Sequence, residues 1–323
     1  MIIAISLISA IHSVPLLINL NFKIMTEVTL ESIRGLLFEK GYITDQSIEM
    51  ALFLSLKLQK PLLIEGPAGV GKTEIAKVMT QILETELIRL QCYEGLDASQ
   101  ALYEWNYQRQ LLHLKASEET GVSVEEKEKG LFDEKFLLKR PLLKAIQSLQ
   151  KCVLLIDEID RADEEFESFL LEILSDWQIT IPEIGTIKAS SIPQVIVTGN
   201  RVRELSEALR RRCLYLWIDY PDFEKELLIV RNRLPNIDAK LAEQICRFMQ
   251  VLRAQKLEKT PGIAETLDWA TALATLHFSA LDKNIIESTL GVILKDWKDI
   301  RAVQLSLSEL LDKTGVQSKV DTL

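Results

Sequence analysis

The stretch Gly66-Pro-Ala-Gly-Val-Gly-Lys-Thr73 decides the fold, because it matches the pattern GxxxxGK[ST]. The short apolar run 61–64 precedes it, and apolar residues recur at helical spacing over 75–83 behind it. Between a strand and a helix, the backbone N–H groups of such a loop turn around phosphate oxygens. We therefore predict a phosphate-binding loop that consists of Gly66, Pro67, Ala68, Gly69, Val70, Gly71, Lys72, Thr73 and Glu74.

Two side chains of this loop carry specific chemistry. The ammonium group of Lys72 is expected to reach the β- and γ-phosphates of a nucleotide, and the hydroxyl of Thr73 is expected to ligate Mg²⁺. The guanine-specifying pattern Asn/Thr-Lys-x-Asp is not found in the sequence, so ATP is favoured over GTP.

An adjacent carboxylate pair follows another apolar run. Asp157 and Glu158 come directly after residues 152–156. Because doubly wound sheets bind ligands at the carboxyl ends of their strands, we expect both side chains at the phosphate site. Asp157 is predicted to hold Mg²⁺, directly or through water, and Glu158 to polarise the attacking water. The alternative interpretation is a strand that ends in a charged helix cap.

The apolar run 195–198 ends in Thr198, and Gly199 and Asn200 follow it. A polar side chain at this strand end can hydrogen-bond the γ-phosphate or the attacking water. Asn200 is the first candidate for that role and Thr198 the second. Taken alone, a Gly-Asn pair is also typical of a turn.

Three consecutive arginines, Arg210, Arg211 and Arg212, precede the last apolar run. Three interpretations are open: a solvated face, a patch that pairs with acidic residues, or an arginine finger. Such a finger would reach the γ-phosphate of a neighbouring subunit and stabilise transition-state charge.

Apolar runs that alternate with helical patterns predict an α/β fold with a doubly wound sheet. Segment 179–188 alternates around a turn and predicts a β-hairpin, and segment 117–130, rich in Glu and Lys, predicts a solvated loop. The predicted strands are continuous rather than alternating, which is typical of parallel strands covered on both faces: 61–64, 87–90, 152–156, 195–198 and 214–218.

Composition bounds the class of protein. The chain has 323 residues, which favours two domains, a core over 25–222 and a helical lid domain over 223–323. The net charge of −9 excludes coating of nucleic acid by bulk charge but leaves a local basic groove open. Three histidines make a multi-histidine metal site unlikely. The cysteines are widely spaced and are read as reduced core thiols of a cytoplasmic protein: Cys92, Cys152, Cys213 and Cys246.

Residues 1–24 form a mostly apolar N-terminal extension with three interpretations. A membrane anchor needs about 20 apolar residues, which this run barely reaches. A secretory signal should open with Lys or Arg and end at a small-residue cleavage site, and neither is evident. The preferred interpretation is that translation begins at Met25. The rest of the chain is expected to have no membrane span.

The glycine loop, the Asp157-Glu158 pair, Asn200 and the arginines, followed by a helical domain, resemble the AAA+ ATPases and, within them, the MoxR family. Segments 101–112 and 211–221 are most similar to its CoxD-like branch, named for carbon monoxide dehydrogenase maturation. The resemblance extends from about residue 27 to the lid. It implies an αβα core with a five-stranded parallel sheet and a C-terminal all-helical lid.

The resemblance also implies residue roles. Lys72 belongs to Walker A, Asp157-Glu158 form Walker B and Asn200 is sensor 1. Arg212 is the expected finger and Arg211 the fallback. Together these make Lys72, Glu158, Asn200 and Arg212 the expected catalytic set.

Segment 179–188 resembles the pre-sensor insertion and 101–112 lies at the helix-2 insertion of this family. One position departs from the pattern, because Glu265 stands near the place where many MoxR proteins carry a sensor 2 arginine. This puts sensing of nucleotide by the subunit's own lid in doubt.

By resemblance, the chain is an ATP-hydrolysing, chaperone-like remodeller that works as a ring, expected to be a hexamer. It would mature a protein complex or metalloenzyme together with a partner that carries a von Willebrand factor A domain. One alternative is a nucleic-acid-directed AAA+ motor or loader, but segment 179–188 carries a single basic residue and the chain is acidic. Another is an ATP-gated assembly scaffold with little turnover, which the missing sensor 2 arginine suggests.

Overall fold

The computed structural model describes residues 29–117 and 130–314. The predicted extension 1–24 and residues 118–129 of the predicted loop lie outside that part of the chain. The described residues fall into two compact units. The first comprises 29–36, 45–65, 73–117 and 130–216, and the second comprises 37–44, 66–72 and 217–314.

Strands of the described residues are numbered in chain order. They are β1 (Leu62–Glu65), β2 (Glu86–Gln91), β3 (Tyr103–Trp105), β4 (Leu137–Lys139), β5 (Cys152–Asp157), β6 (Gln178–Ile181), β7 (Gly185–Lys188), β8 (Gln194–Gly199) and β9 (Leu214–Trp217).

The α-helices are numbered in the same way. They are α1 (Leu30–Glu39), α2 (Gln46–Leu58), α3 (Lys72–Leu83), α4 (Ala98–Leu102), α5 (Tyr107–Ser117), α6 (Pro141–Ile146), α7 (Glu164–Asp176), α8 (Glu207–Arg212), α9 (Phe223–Arg233), α10 (Ala239–Arg253), α11 (Ile263–Thr275), α12 (Lys283–Ile293) and α13 (Trp297–Thr314).

A five-stranded parallel sheet with flanking helices forms the centre of the fold, in the order β2-β5-β8-β1-β9. Strands β1, β5 and β8 are buried along their whole length, because helices cover both faces of the sheet. The α/β class, the five-stranded sheet and the helical C-terminal region are thereby confirmed.

The edge strands differ from the prediction of continuous burial. In β2, Ile88 and Leu90 are buried while Arg89 and Gln91 are exposed. Strand β9 is also exposed at Tyr215. Each edge strand has one neighbour in place of two, so water reaches part of its surface.

Two small antiparallel pairs lie outside the main sheet. Strands β6 and β7 pair with Ile179 opposite Ile187, which confirms the predicted hairpin. Strands β3 and β4 pair with Trp105 opposite Leu137, and neither was predicted. With three residues each, they are too short to show a hydrophobic period.

Aspartates at the first residue outside a helix explain where several helices begin. Asp45 accepts a hydrogen bond from Ile48 N at 3.1 Å before α2, and Asp163 accepts one from Phe166 N at 2.8 Å before α7. Asp222 does the same for Lys225 N at 2.8 Å, where α9 begins. These side chains satisfy backbone donors that the helix itself leaves without partners.

Helices α9 to α13 enclose the core of the second unit. Phe248 and Trp269 pack with ring centroids 5.4 Å apart, and both are fully buried. The indole N–H of Trp269 donates to the Thr289 hydroxyl at 2.9 Å, so this buried polar group is satisfied. None of the helices in the described residues is long and apolar enough to cross a membrane.

Candidate functional site

Asp157, the last residue of β5, is the most heavily bonded carboxylate of the first unit. It is 3% exposed. Its Oδ1 accepts hydrogen bonds from the Thr198 hydroxyl at 2.5 Å and lies 3.1 Å from the Thr73 hydroxyl. Its Oδ2 accepts from two nitrogens of Arg89, at 2.5 and 3.1 Å. The structure thus brings the two predicted metal ligands, Thr73 and Asp157, into contact.

Glu158 begins the turn after β5 with a left-handed backbone, at φ 56° and ψ 48°. Such a conformation costs a residue with a side chain about 1–3 kcal/mol and often marks a functional position. Its backbone N–H donates to the Thr198 hydroxyl at 3.0 Å. Its carboxylate accepts a hydrogen bond from the Asn200 amide at 3.3 Å and pairs with Arg161 at 2.7 Å. Two predicted catalytic side chains, Glu158 and Asn200, therefore meet.

Thr198 holds these two acidic residues together. Its hydroxyl donates to the Asp157 side chain and accepts from the Glu158 backbone, and the residue is 1% exposed. This burial suits a role in positioning the carboxylates. Thr198, the second candidate for the polar side chain at this strand end, therefore positions Asp157 and Glu158.

Asp160 belongs to the same cluster, and sequence reasoning missed it. It is 2% exposed, and its Oδ2 accepts from Asn200 N at 2.9 Å and from Val202 N at 2.7 Å. These bonds anchor the turn that carries Asn200. The available signal in the sequence is an aspartate three residues after Asp157, a position that the alternative of a charged helix cap would also explain.

The charges of this cluster act on Cys92, which follows β2. Its backbone N–H donates to the Asp157 carbonyl at 2.8 Å. Burial, and then the negative charge of Asp157, raise the pKa of the Cys92 thiol to about 12. The thiol therefore stays protonated and unreactive near neutral pH.

The glycine loop, residues 66–72, belongs to the second unit. A Cβ on Gly66 would lie 1.9 Å from the carbonyl oxygen of Ile218, so no other residue fits there. The Lys72 ammonium donates to the carbonyls of Gly66 at 2.8 Å and Pro67 at 2.6 Å, and this residue is 6% exposed. The lysine is thus folded back over the loop that the sequence predicted.

The beginning of α11 contacts this loop within the second unit. Ile263 N donates to the Gly69 carbonyl at 2.9 Å, and a Cβ on Gly262 would lie 2.7 Å from the Gly69 backbone. The Glu265 carboxylate accepts from Gly262 N at 2.8 Å. Glu265 therefore caps its own helix beside the loop, near the position where many proteins of the resembled family carry an arginine.

A buried ion pair holds the turn before α11. Arg253 contacts both oxygens of Glu226 at 2.7 and 2.6 Å, and the glutamate is fully buried. The same guanidinium donates to the carbonyls of Pro261 at 2.8 Å and Gly262 at 3.3 Å. These bonds fix the turn whose glycine touches the loop. The sequence carries no local signal for these bonds, since the partners lie on α9, on α10 and in the turn before α11.

The three arginines of α8 have different surroundings. Arg210 pairs with Glu65 at 3.0 Å, which is the acidic pairing left open by the sequence. Arg211 pairs with Glu207 of the same helix at 2.7 Å, and both side chains are well exposed. Arg212 is exposed and donates to the Ser175 hydroxyl at 2.7 Å.

The side-chain oxygens of Thr73 and Asp157 suit a magnesium ion. A hard cation prefers carboxylate and hydroxyl oxygens, and Thr73 and Asp157 present both kinds side by side. Within the described residues no group of three or more His, Cys, Asp or Glu side chains is arranged to hold a metal ion. Mg²⁺ commonly takes one or two protein oxygens and its other ligands from phosphate and water, which suits the Thr73 and Asp157 side chains.

The sheet order, the glycine loop after β1 and the carboxylates after β5 define the class: a parallel α/β domain with a nucleotide-binding loop. Residues 61–213 match the family model described as AAA domain, dynein-related subfamily. The match spans β1 to α8, and over that segment it agrees with the resemblance to AAA+ proteins. The MoxR and CoxD-like assignment stays a prediction.

Several curated proteins are similar over most of this chain. An uncharacterized protein of Staphylococcus aureus is 27% identical over 259 residues, which are 76% of this chain and 89% of that protein. An uncharacterized protein of Staphylococcus haemolyticus is 26% identical over 274 residues, 81% of this chain and 94% of that protein.

Among solved structures, two variants of RuvB from Thermotoga maritima are similar. One is 19% identical with a TM-score of 0.48 and covers 85% of this chain and 83% of that one. The other is 18% identical with a TM-score of 0.47 and covers 92% and 87%.

Proposed function

We propose that this chain binds ATP with Mg²⁺ and hydrolyses it to ADP and phosphate. The observation that carries the proposal is the contact of Thr73 and Asp157, with Glu158 hydrogen-bonded to Asn200 beside them. A hydroxyl and a carboxylate in contact suit a magnesium ion, and a neighbouring carboxylate held by an amide suits activation of water. The family match of residues 61–213 supports the same chemistry.

In this proposal each group has one task. The glycine loop and Lys72 bind the phosphates, while Thr73 and Asp157 hold Mg²⁺, which when bound offsets phosphate charge. Glu158 accepts a proton from the attacking water, and Asn200 orients that water or the γ-phosphate. The left-handed backbone of Glu158 and its amide partner support such orientation, because both restrict the carboxylate to few positions.

We further propose a MoxR-type remodeller that acts as a ring, with six subunits expected. Arg212 would reach the site of the adjacent subunit, which its exposure at the surface of the first unit supports. The hairpin β6–β7 and the helices from α9 onward would move with the nucleotide state and act on a client. The expected client is a protein complex or metalloenzyme, with a von Willebrand factor A domain protein as partner.

Binding and turnover test the ATPase proposal separately. Lys72→Ala is expected to lose affinity for a fluorescent ATP analogue, because no other cation of the loop replaces the ammonium group. Glu158→Gln is expected to bind the analogue as the parent does and to release phosphate at least about 100-fold more slowly. Glu165→Gln, a change at an exposed position of α7, is the matched control and should hydrolyse normally.

Two results would contradict this assignment. A parent protein that binds no ATP analogue in the presence of Mg²⁺ would remove the whole proposal. Nucleotide-dependent assembly without phosphate release would favour the scaffold over the remodeller. A pull-down with the Glu158→Gln variant and ATP, analysed by mass spectrometry, then tests for a client that the Lys72→Ala variant does not retain.

A further inference from the structure

Arg89 belongs to the first unit and has no part in the proposed chemistry, although it contacts Asp157. Its guanidinium lies on Asp157 Oδ2 with two contacts, at 2.5 and 3.1 Å. In the sequence it stands within the apolar run Leu87-Ile-Arg-Leu90 of β2, and its side chain is exposed. The partner is the carboxylate proposed as the metal ligand.

Strand pairing explains why the arginine reaches that carboxylate. Strand β2 lies next to β5, with Arg89 opposite Leu155 and Gln91 opposite Asp157. Arg89 and Gln91 are two residues apart and therefore share a face of the strand. The guanidinium also donates to the Gln91 side chain, which holds it at the end of β5.

The remaining acceptor positions of Asp157 are also in use. Oδ1 accepts from Thr198 at 2.5 Å and lies near the Thr73 hydroxyl at 3.1 Å. A divalent cation that binds Oδ2 directly has to displace the guanidinium of Arg89.

The two partners differ in how easily they move. The Arg89 side chain is 51% exposed, whereas the Asp157 side chain is 4% exposed. The arginine can therefore swing into water at little cost, whereas a buried carboxylate without a counter-charge destabilises the fold. A cation at Asp157, either the guanidinium or the metal ion, is therefore favoured.

We propose that Arg89 sets the divalent-cation affinity of the site by competing with the metal ion for Asp157 Oδ2. The ion pair keeps the affinity for the free metal ion low, so that the cation binds firmly only when phosphate oxygens supply further ligands. This inference rests on the proposed function, because it takes Asp157 to be the metal ligand. It assigns a specificity role to a side chain outside the expected motifs.

The test measures Mn²⁺ binding to the full chain, stripped of nucleotide, by the loss of the free-ion electron paramagnetic resonance signal. Arg89→Met removes the charge but keeps the length of the arm, and it is expected to bind Mn²⁺ on the order of tenfold more tightly than the parent. Arg89→Gln is the second neutral variant and should behave alike. Arg89→Lys keeps the competing charge and is expected to stay within about threefold of the parent.

Two controls assign the effect to this site. Arg140→Met removes an equal charge from an exposed pair with Glu104 and should leave the Mn²⁺ affinity unchanged. The double variant Arg89→Met with Asp157→Asn should lose the gain. Thermal melting without metal shows that each variant is folded.

The outcomes separate this inference from the proposed function. If the neutral variants bind Mn²⁺ no more tightly than the parent, while the parent binds ATP with Mn²⁺, Arg89 does not compete and the inference is wrong. A gain that persists in the double variant also overturns it. If the parent binds neither ATP nor Mn²⁺ with ATP, the proposed function itself fails.

Discussion

The guanidinium of Arg210 lies 3.0 Å from the carboxylate of Glu65, a side chain with no exposed surface. Glu65 ends β1 and directly precedes the glycine loop, while Arg210 lies on the helix that also carries Arg212. The end of β1 thus contains a buried carboxylate that pairs with the guanidinium of Arg210. The Tyr215 ring covers that cation at 5.8 Å from its centroid.

Loss of this ion pair is expected to destabilise the first unit. Arg210→Ala leaves Glu65 buried without its counter-charge, and we expect the free energy of unfolding to fall by about 2 kcal/mol. Because the arginine is one-third exposed, the loss should be smaller than for a fully buried pair. Arg211→Ala, which breaks an exposed pair, should cost at most about 0.5 kcal/mol. Urea denaturation of both variants measures the difference, and equal losses would contradict this account.

The close contact between Gly262 and Gly69 predicts that a side chain at position 262 weakens nucleotide binding. In Gly262→Ala the new Cβ would lie 2.7 Å from Gly69 backbone atoms, so the glycine loop or the start of α11 has to move. We expect affinity for an ATP analogue to fall by about tenfold, equivalent to about 1.4 kcal/mol. Fluorescence titration of the purified variant measures this change.

Gly291→Ala is the matched control for that variant. Gly291 lies within α12, and a Cβ there meets nothing within 4 Å. Alanine is the better helix former, so this variant should be more stable by about 0.5–1 kcal/mol and should bind nucleotide as the parent does. Unchanged nucleotide affinity in Gly262→Ala would show that the contact does not shape the loop.

Arg212 provides the test of shared sites between subunits. Arg212→Ala is expected to lower phosphate release by about 1,000-fold or more while nucleotide binding by the single subunit is spared. Arg211→Ala, one residue away, is the control and should retain most activity. Rates of phosphate release and binding titrations separate the two effects.

Mixing of inactive variants extends that test. A mixture of Arg212→Ala and Lys72→Ala subunits should recover part of the activity, because some sites then combine an intact loop with an intact arginine. Normal hydrolysis by Arg212→Ala alone would mean that this residue is not the finger. A mixture that recovers nothing would count against sites shared between subunits.

The buried thiols predict how stability depends on pH. Burial raises the pKa of Cys92, Cys213 and Cys246 to about 12 and that of Cys152 to about 11. The folded chain therefore keeps protons that the unfolded chain loses above pH 9. The free energy of unfolding should fall between pH 9 and 11, by up to about 1.4 kcal/mol per pH unit for each thiol.

Urea midpoints at pH 7, 9 and 10 measure this dependence, and Cys92→Ala should show a shallower decline. At pH 8 a thiol reagent should react slowly with the native chain. After denaturation it should react with all four thiols. Rapid reaction of Cys92 in the native chain would contradict a protonated, buried thiol.

Local patterns predicted much of the fold. The apolar runs before Gly66 and Asp157 became fully buried strands, and the alternating segment 179–188 became the hairpin β6–β7. These features depend on the period of neighbouring residues, which a sequence displays directly. The short strand β3 and the exposed side of β2 were missed, since strand length and position in the sheet are not local properties.

By itself the sequence determined the α/β class, the glycine loop and the residues that end the central strands. The tertiary structure decided which side chains meet: Arg89 with Asp157, Asp160 with the backbone of Asn200, and Gly262 with Gly69. Those partners lie 40 or more residues apart, and a sheet order of β2-β5-β8-β1-β9 brings the first two pairs together. The contacts of these two pairs depend on that order, because no spacing along the chain encodes which strands become neighbours.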